Sequence, residues 1–267
     1  IPVPMTIRTA DNTIRYIACL FKWAYDNGYI AKNPCVGLRF ARSTREDQER
    51  SIYSKDEIEK IITCVMSLPE KSKFKETRNW ITLTGLYQGM RLNEICQLYV
   101  DEVIQVDGIP CFNISATKTG QKLKNKSSAR VIPIHPLIVR LGFLKYVDRL
   151  KEKGEERLWP VLSYIEVAGY CKKMVEWFMV FNRRHITQDK RKVFYSYRHN
   201  FATELKNKNV PESAIAELLG HKNSSISTGR YGKPFHPQVL LEYLSRVDYG
   251  IDVSKLPTVF STLSAGM

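Results

Sequence analysis

The sequence predicts a mainly α-helical chain with a small antiparallel β-sheet, an α+β arrangement. Most segments carry apolar residues at helical spacing. One stretch, Val103 to Ser115, instead holds two β-rich runs around Asp107-Gly108, the strongest short hairpin signal. A hydrophobic content of 43% over 267 residues suffices for one large core, or for a main domain and a small one.

Residues 5 to 27 place Ile14, Ile17, Leu20, Phe21 and Ala24 on one helical stripe, which stops at Asn27-Gly28. No earlier element is there for this helix to pack against, so the chain is expected to be a fragment of a longer protein. The polar run ARSTREDQER has no periodicity, and residues 41–53 read as a linker. At Ser54 a capping box begins, Ser54 with Glu57, followed by Ile58, Ile61 and Ile62. Trp80 to Leu86 reads as an apolar helix ending near Gly89, and helical spacing restarts from Arg91 through Leu98, which puts Arg91 at a helix junction. Ala129 to Ile134 supplies a third strand, and the loop before it, ATKTGQKLKNKSS, carries Lys118, Lys122, Lys124 and Lys126. Helices are then expected at 137–152, 163–183, 197–208, 211–220 and 237–247. The tail from Tyr249 carries Leu256, Val259, Phe260 and Leu263, more apolar than a solvated tail needs.

Lys+Arg number 41 against Asp+Glu 27, a formal charge of +14, which points to a polyanionic partner and first to nucleic acid. Charge alone fits a merely basic surface as well. Six cysteines occur without a CxxC pair, so neither a zinc site nor a disulfide framework is indicated. No apolar run approaches the ~18 residues of a membrane span, and the first residues do not pattern as a secretion signal, so a cytoplasmic, DNA-associated location is expected.

The stretch FYSYRHNFATELKNKNVPESAIAELLGHKNSSISTGRY concentrates the chemistry. Arg198 heads a helical pattern, Gly220-His221 closes a second helix whose stripe is Ile215, Leu218 and Leu219, and Tyr231 follows ten residues later. A guanidinium fork can grip two phosphate oxygens, an imidazole can donate to one, and a phenol can attack phosphorus.

GLYQGMRLNEI, then TKTG on a hairpin loop, then YSYRHNFAT, then LLGHKNSSISTGRY resemble, in order and spacing, the tyrosine recombinase (phage integrase) family. The resemblance spans residues 54–247 as a catalytic domain; KWAYDNGYIAKNPCVGL, within residues 1–40, resembles the last helix of a preceding helical core-binding domain, and 248–267 is left as a tail. It implies a site-specific recombinase that cleaves and rejoins DNA through a 3′-phosphotyrosine, integrating or excising a phage or mobile element. Arg91 and Arg198 would clamp the scissile phosphate, Lys118 would protonate the leaving 5′ oxygen, His221 would donate to the phosphate, and Tyr231 would be the nucleophile. Glu94 would buttress Arg91, and Lys122, Lys124, Lys126 and Arg130 would contact backbone phosphates. The mechanism implies no cofactor and no metal. The implied partners are double-stranded DNA and further copies of the chain, a tetramer on DNA with the apolar tail docking onto a neighbour and a monomer when free. Accessory DNA-bending proteins complete the implied set.

One position departs from the family pattern. Tyr195 stands where the family usually has histidine, three residues before the second arginine, and a phenol is a poor proton acceptor near neutral pH. Lowered efficiency is expected from it, and a binding-only protein of the same fold is the alternative it supports. A type IB topoisomerase, which shares the chemistry, ranks behind because it does not require the core-binding helix pattern. Taken singly, each residue also has a plain explanation. Arg91 can pair with Glu94 at i, i+3, His221 can serve as a helix cap, Tyr231 is one of 14 tyrosines, and Lys122 competes with Lys118 for the catalytic role.

Overall fold

The computed structural model describes residues 5, 7–38, 51–67, 73–221 and 234–252. Contacts divide the chain into two units, Ile1–Glu49 and Arg50–Met267.

In the first unit, α1 (Ile7–Asp26) is the expected amphipathic helix, and Gly28 (φ 76°) follows it in the left-handed region. Trp23 stacks on Tyr29 with ring centroids 5.4 Å apart, which folds the chain back on the helix end. Ile17 and Leu20 of the apolar stripe remain exposed, as do Tyr16 and Trp23 beside it.

The second unit is built around α3 (Lys75–Gln88). Its residues from Asn79 to Gln88 are all buried, the signature of a helix enclosed on every side rather than amphipathic. Before it comes α2 (Lys55–Met66), whose Ser54–Glu57 capping box forms as the sequence predicts. After it, α4 (Leu92–Cys96) restarts the chain from Arg91. Two strands, β1 (Val103–Val106) and β2 (Ile109–Ile114), pair antiparallel with Val106 opposite Ile109. Asp107 and Gly108 between them both have positive φ, 49° and 76°, the turn whose twist suits a two-residue hairpin. The third strand, β3 (Arg130–Pro133), pairs with β2 to give a three-stranded sheet in the order β1-β2-β3.

Two expected helices differ. The span 137–152 is two helices, α5 (Pro136–Arg140) and α6 (Phe143–Glu152), because Gly142 between them takes φ 94°. The span 163–183 becomes helical only from Lys172: α7 (Lys172–Phe181) follows a tight turn in which Ile165 and Gly169 exchange backbone hydrogen bonds of 3.0 and 2.6 Å. Tyr164 and Tyr170 pack edge to face across that turn and close it as a loop. Past Phe181 the helix widens into a π-turn, Asn182–Ile186. The chain continues through α8 (Ser196–Asn207), α9 (Glu212–Leu219) and α10 (Pro237–Leu244).

The core is aromatic. Trp80, Phe112, Phe143, Tyr146 and Trp159 are almost wholly buried, and Phe143 contacts the other four rings or their neighbours within 6.5 Å between centroids. Tyr249, at the root of the tail, is buried against Tyr87 and donates to the Leu86 carbonyl at 3.0 Å, which ties that root to α3 of the same chain. Leu256, Val259, Phe260 and Leu263 lie outside the described residues.

The approach of α8 to α3 depends on Gly85. A Cβ there would lie 2.6 Å from the Phe194 ring and 3.0 Å from the Tyr197 ring, both buried. Gly85→Ala is therefore expected to destabilise the unit by about 1–3 kcal/mol through overpacking, seen as a lower urea midpoint at unchanged slope. Among the described residues no helix is long and apolar enough to cross a membrane, and no group of three or more His, Cys, Asp or Glu side chains converges as metal ligands.

Candidate active site

Arg91 is the N-cap of α4, with extended backbone (φ −69°, ψ 143°). Three residues on, Glu94 closes the cap and fixes the guanidinium together. One carboxylate oxygen accepts from the Arg91 backbone N–H at 3.1 Å, and the other accepts from Arg91 Nη1 at 2.6 Å. Glu94 is buried at 3% exposure, and its first oxygen also accepts from Arg130 Nη2 at 3.0 Å. Burial alone would raise the carboxyl, but the Arg130 and Arg91 guanidiniums outweigh it and hold Glu94 below the usual carboxylate range.

Arg130 was expected among the phosphate contacts of the loop, yet its side chain is only 5% exposed. Its Nε donates to the Leu218 carbonyl at 2.9 Å and its Nη1 to the Ser128 carbonyl at 2.7 Å. The strand pleat explains this: Arg130 opens β3 and faces inward, whereas the loop lysines precede the strand. Gly220 makes room for it, since a Cβ on Gly220 would lie 2.6 Å from Arg130 Nη1, and the residue's φ of 67° also favours glycine.

Arg198, in the first turn of α8, is buried at 3% exposure. Its Nη1 donates to the Gly89 carbonyl at 2.9 Å, and its Nη2 donates to the Leu219 carbonyl. Those carbonyls end α3 and α9, and left-handed Gly89 (φ 59°) and Gly220 turn the chain away after each. Burial and the facing Arg91 push Arg198 down to about 10, so it stays cationic at neutral pH. Its Nε–H is buried and has no acceptor among the described residues.

His221 completes the group: its Nε2 lies 2.9 Å from Arg198 Nη2. A guanidinium only donates, so this Nε2 is the acceptor and the ring is neutral. Partial burial, followed by the charges of Arg198, Arg91 and Arg130, pushes the imidazole down to about 4.

Two hydrogen-bonded sets thus lie close enough for their charges to act on one another: Arg91 and Arg130 on Glu94, with Arg130 a member the sequence reading placed elsewhere, and Arg198 with His221. Lys118 stands apart from both. Its ammonium pairs with the Asp101 carboxylate and lies 4.5 Å from the centroid of the Tyr99 ring. Tyr195 immediately precedes α8, is 41% exposed, and packs edge to face on His199 with centroids 5.0 Å apart. Its ring borders an apolar cleft of about 280 Å³ walled by Met90, Leu92, Phe178, Met179 and Phe194. Lys122 and Lys124 are exposed, while Tyr231 and the side chain of Lys126 lie outside what the structure describes.

Two features escaped the sequence reading. Arg157 donates to the Cys96 and Gln97 carbonyls at 2.7 and 2.6 Å, capping α4 from its far end, and it stacks on Tyr170 at 3.7 Å. Glu102 is buried beneath the lysine loop. A run of Tyr99, Asp101 and Glu102 directly before a strand gives no periodic signal, so nothing in the sequence separates a structural carboxylate from a solvated one there.

The chain matches the model of the phage integrase family over residues 52–236. It is 29% identical to a XerC-like tyrosine recombinase of Caldanaerobacter subterraneus subsp. tengcongensis, over 85% of this chain and 61% of that protein. It spans 57% to 69% of the length of the curated relatives it matches. Among solved structures, the Tn1549 transposon integrase in complex with circular intermediate DNA superposes with a TM-score of 0.58 at 18% identity, over 89% of this chain and 79% of that one. A λ integrase from a tetramer bound to a Holliday junction superposes with a TM-score of 0.55 at 23% identity, over 82% of this chain and 60% of that one. These likenesses describe a shared fold. The family match covers more than half of the chain, and on that ground the protein belongs to the phage integrase family of tyrosine recombinases.

Proposed function

We propose that this chain carries the catalytic domain of a site-specific DNA recombinase, which breaks and rejoins DNA through a covalent 3′-phosphotyrosine at Tyr231. The observation that carries the reading is the grouping of Arg91, Arg198 and His221, two guanidiniums and an imidazole at helix ends, close enough that the charges of both arginines act on the ring. Such a cluster suits a phosphodiester. Arg91 and Arg198 neutralise the non-bridging oxygens, and the Arg198 Nε–H, which has no acceptor among the described residues, is a donor ready for one of them. Partial burial, and then the guanidinium charges, keep the free His221 ring neutral; a phosphate anion beside it opposes both, and a proton taken at Nε2 would exchange the contact with Arg198 for a donated bond to the oxyanion.

In the forward step the Tyr231 oxygen bonds to phosphorus as its proton passes to water, the bond from phosphorus to the 5′ oxygen breaks, and Lys118 gives that oxygen a proton. Rejoining reverses the step, with a 5′ hydroxyl attacking the phosphotyrosine. The bond energy stays in the protein–DNA link, so no nucleotide triphosphate is consumed. Binding to double-stranded DNA rests on the +14 charge and on the family, and a tetrameric assembly rests on the likeness to the λ integrase complex. Integration or excision of a phage or mobile element is the use we infer from the family, and Lys122 and Lys124, both exposed, are the backbone contacts that fit it.

A specific observation favours one competing reading. Tyr195 supplies a phenol where the family has an imidazole, which fits a protein that binds DNA and cleaves poorly. The two readings separate on a nicked suicide duplex taken from the ends of the element that encodes the chain. The parent is expected to leave a protein-linked band on a denaturing gel and Tyr231→Phe none, while both retard the duplex in a native gel. Retardation by both without any covalent band would establish the binding-only reading.

A further inference from the structure

The loop that carries Lys118 is joined to α4 by a buried polar network. Glu102 is 3% exposed and Gln121 is 8% exposed. The Glu102 carboxylate accepts from the Tyr99 backbone N–H at 2.8 Å, from the Ser115 hydroxyl at 2.7 Å, and from the Gln121 side-chain amide at 2.9 and 2.8 Å, one contact to each oxygen. Gln121 in turn accepts from the Lys118 backbone N–H at 3.1 Å. A second amide, Gln97, accepts from the Lys122 N–H at 2.9 Å and from Asn93 of α4 at 3.0 Å, and donates to the Ser115 carbonyl at 3.3 Å. The lysine's main chain on one side, and the helix that Arg91 caps on the other, are therefore held by the same few side chains.

We propose that Glu102 is a positioning residue for strand cleavage: it fixes the main chain of the Lys118 loop relative to α4, so that the lysine's reach to the leaving oxygen is set from the helix that places Arg91. This deepens the function proposed above and rests on Lys118 being the proton donor. Three arguments support it. A buried carboxylate with its acceptor sites filled by loop and helix donors is expensive to leave half satisfied, so the loop is held in one arrangement. The network reaches the main chain at Lys118 and Lys122, on both sides of Gln121, so it constrains where the lysine starts rather than where its ammonium ends. The ammonium itself, resting on exposed Asp101 and the Tyr99 ring, remains free to leave that resting place.

The test has a DNA-free arm and a chemical arm. Hydrogen exchange at the Lys118 and Lys122 amides of the free protein is expected to quicken by about tenfold or more in Glu102→Ala, with the amides of α3 and α8 unchanged. Unchanged exchange at Lys118 and Lys122 would overturn the proposal. Cleavage is then compared on two suicide duplexes, one ordinary and one with sulfur in place of the bridging 5′ oxygen. A thiolate leaves without protonation, so a defect confined to proton delivery disappears on the sulfur duplex.

Glu102→Ala is expected to cleave the ordinary duplex at least about tenfold more slowly than the parent and the sulfur duplex within about threefold of it. Lys118→Ala should show the same pattern more strongly, and Glu102→Gln, which keeps one acceptor oxygen but turns an amide N–H toward the network's donors, should recover only part of the lost rate. Equal losses of Glu102→Ala on both duplexes would mean that the residue only supports the fold, and would sink the idea. Parental cleavage of the ordinary duplex by Lys118→Ala would refute the lysine's own role, and with it the need to position it. Recombinase activity of the parent would stand in that case, so the two failures are distinguishable.

Discussion

Arg198→Lys is expected to slow formation of the protein–DNA adduct by about 10²–10³-fold, corresponding to the ~3–4 kcal/mol that a preorganised oxyanion donor supplies. The guanidinium spans the Gly89 carbonyl, the Leu219 carbonyl and His221 Nε2 at once. An ammonium is a point donor and cannot hold all three while still facing a phosphate. One buried carbonyl is left without a partner as well, so a stability loss of about 1–3 kcal/mol accompanies the rate loss. Single-turnover cleavage of the suicide duplex, together with a urea titration, separates the two effects. A rate within about threefold of the parent would remove Arg198 from the phosphate site.

That residue also shows what the sequence can disclose. The placement of Arg198, His221 and Arg91 at helix ends was legible because such ends have local signatures, a glycine, a cap, a restart of the apolar stripe, whereas the roles assigned to them come from the family resemblance. The hairpin was legible for the same reason, since Asp107-Gly108 is a local demand for positive φ. Arg130 was not. Whether a strand's first residue faces solvent or core depends on pleat and register, and here on a missing Cβ at Gly220, 90 positions away by residue number. Glu102 was hidden for a similar reason, because its partners lie in a loop that the sequence presents only as polar. The segment 163–171 differs from the expected helix because Ile165 and Gly169 pair through their backbones and Tyr164 packs on Tyr170 across the turn, contacts that no local spacing announces.

Glu94→Gln is expected to destabilise the second unit by about 3–5 kcal/mol at neutral pH, the usual cost of stranding a buried charge. The carboxylate faces two guanidiniums, Arg130 at 5% and Arg91 at 17% side-chain exposure, so its loss leaves two close cations without their counter-ion. The pH dependence follows from the direction of the shift. The folded carboxyl titrates below its unfolded value, so its contribution is full above the unfolded pKa near 4.3 and is lost as pH falls through the folded one. Urea midpoints at neutral and acid pH should therefore converge for parent and Glu94→Gln as the solution is acidified. A constant gap between them down to strong acid would show that Glu94 carries no net charge in the fold.

The mooring of Arg198 and Arg130 to backbone carbonyls at the ends of α3 and α9 has a consequence for the order of events on DNA. A long side chain fixed in this way has already given up roughly 2 kcal/mol of rotational freedom during folding, so an arriving oxyanion does not have to immobilise it. The Lys118 ammonium is moored to no backbone carbonyl; its partners are an exposed carboxylate and a ring face. Under the proposed function, capture of the phosphate is a docking onto guanidiniums the fold has already fixed, whereas the lysine arm is still to be placed.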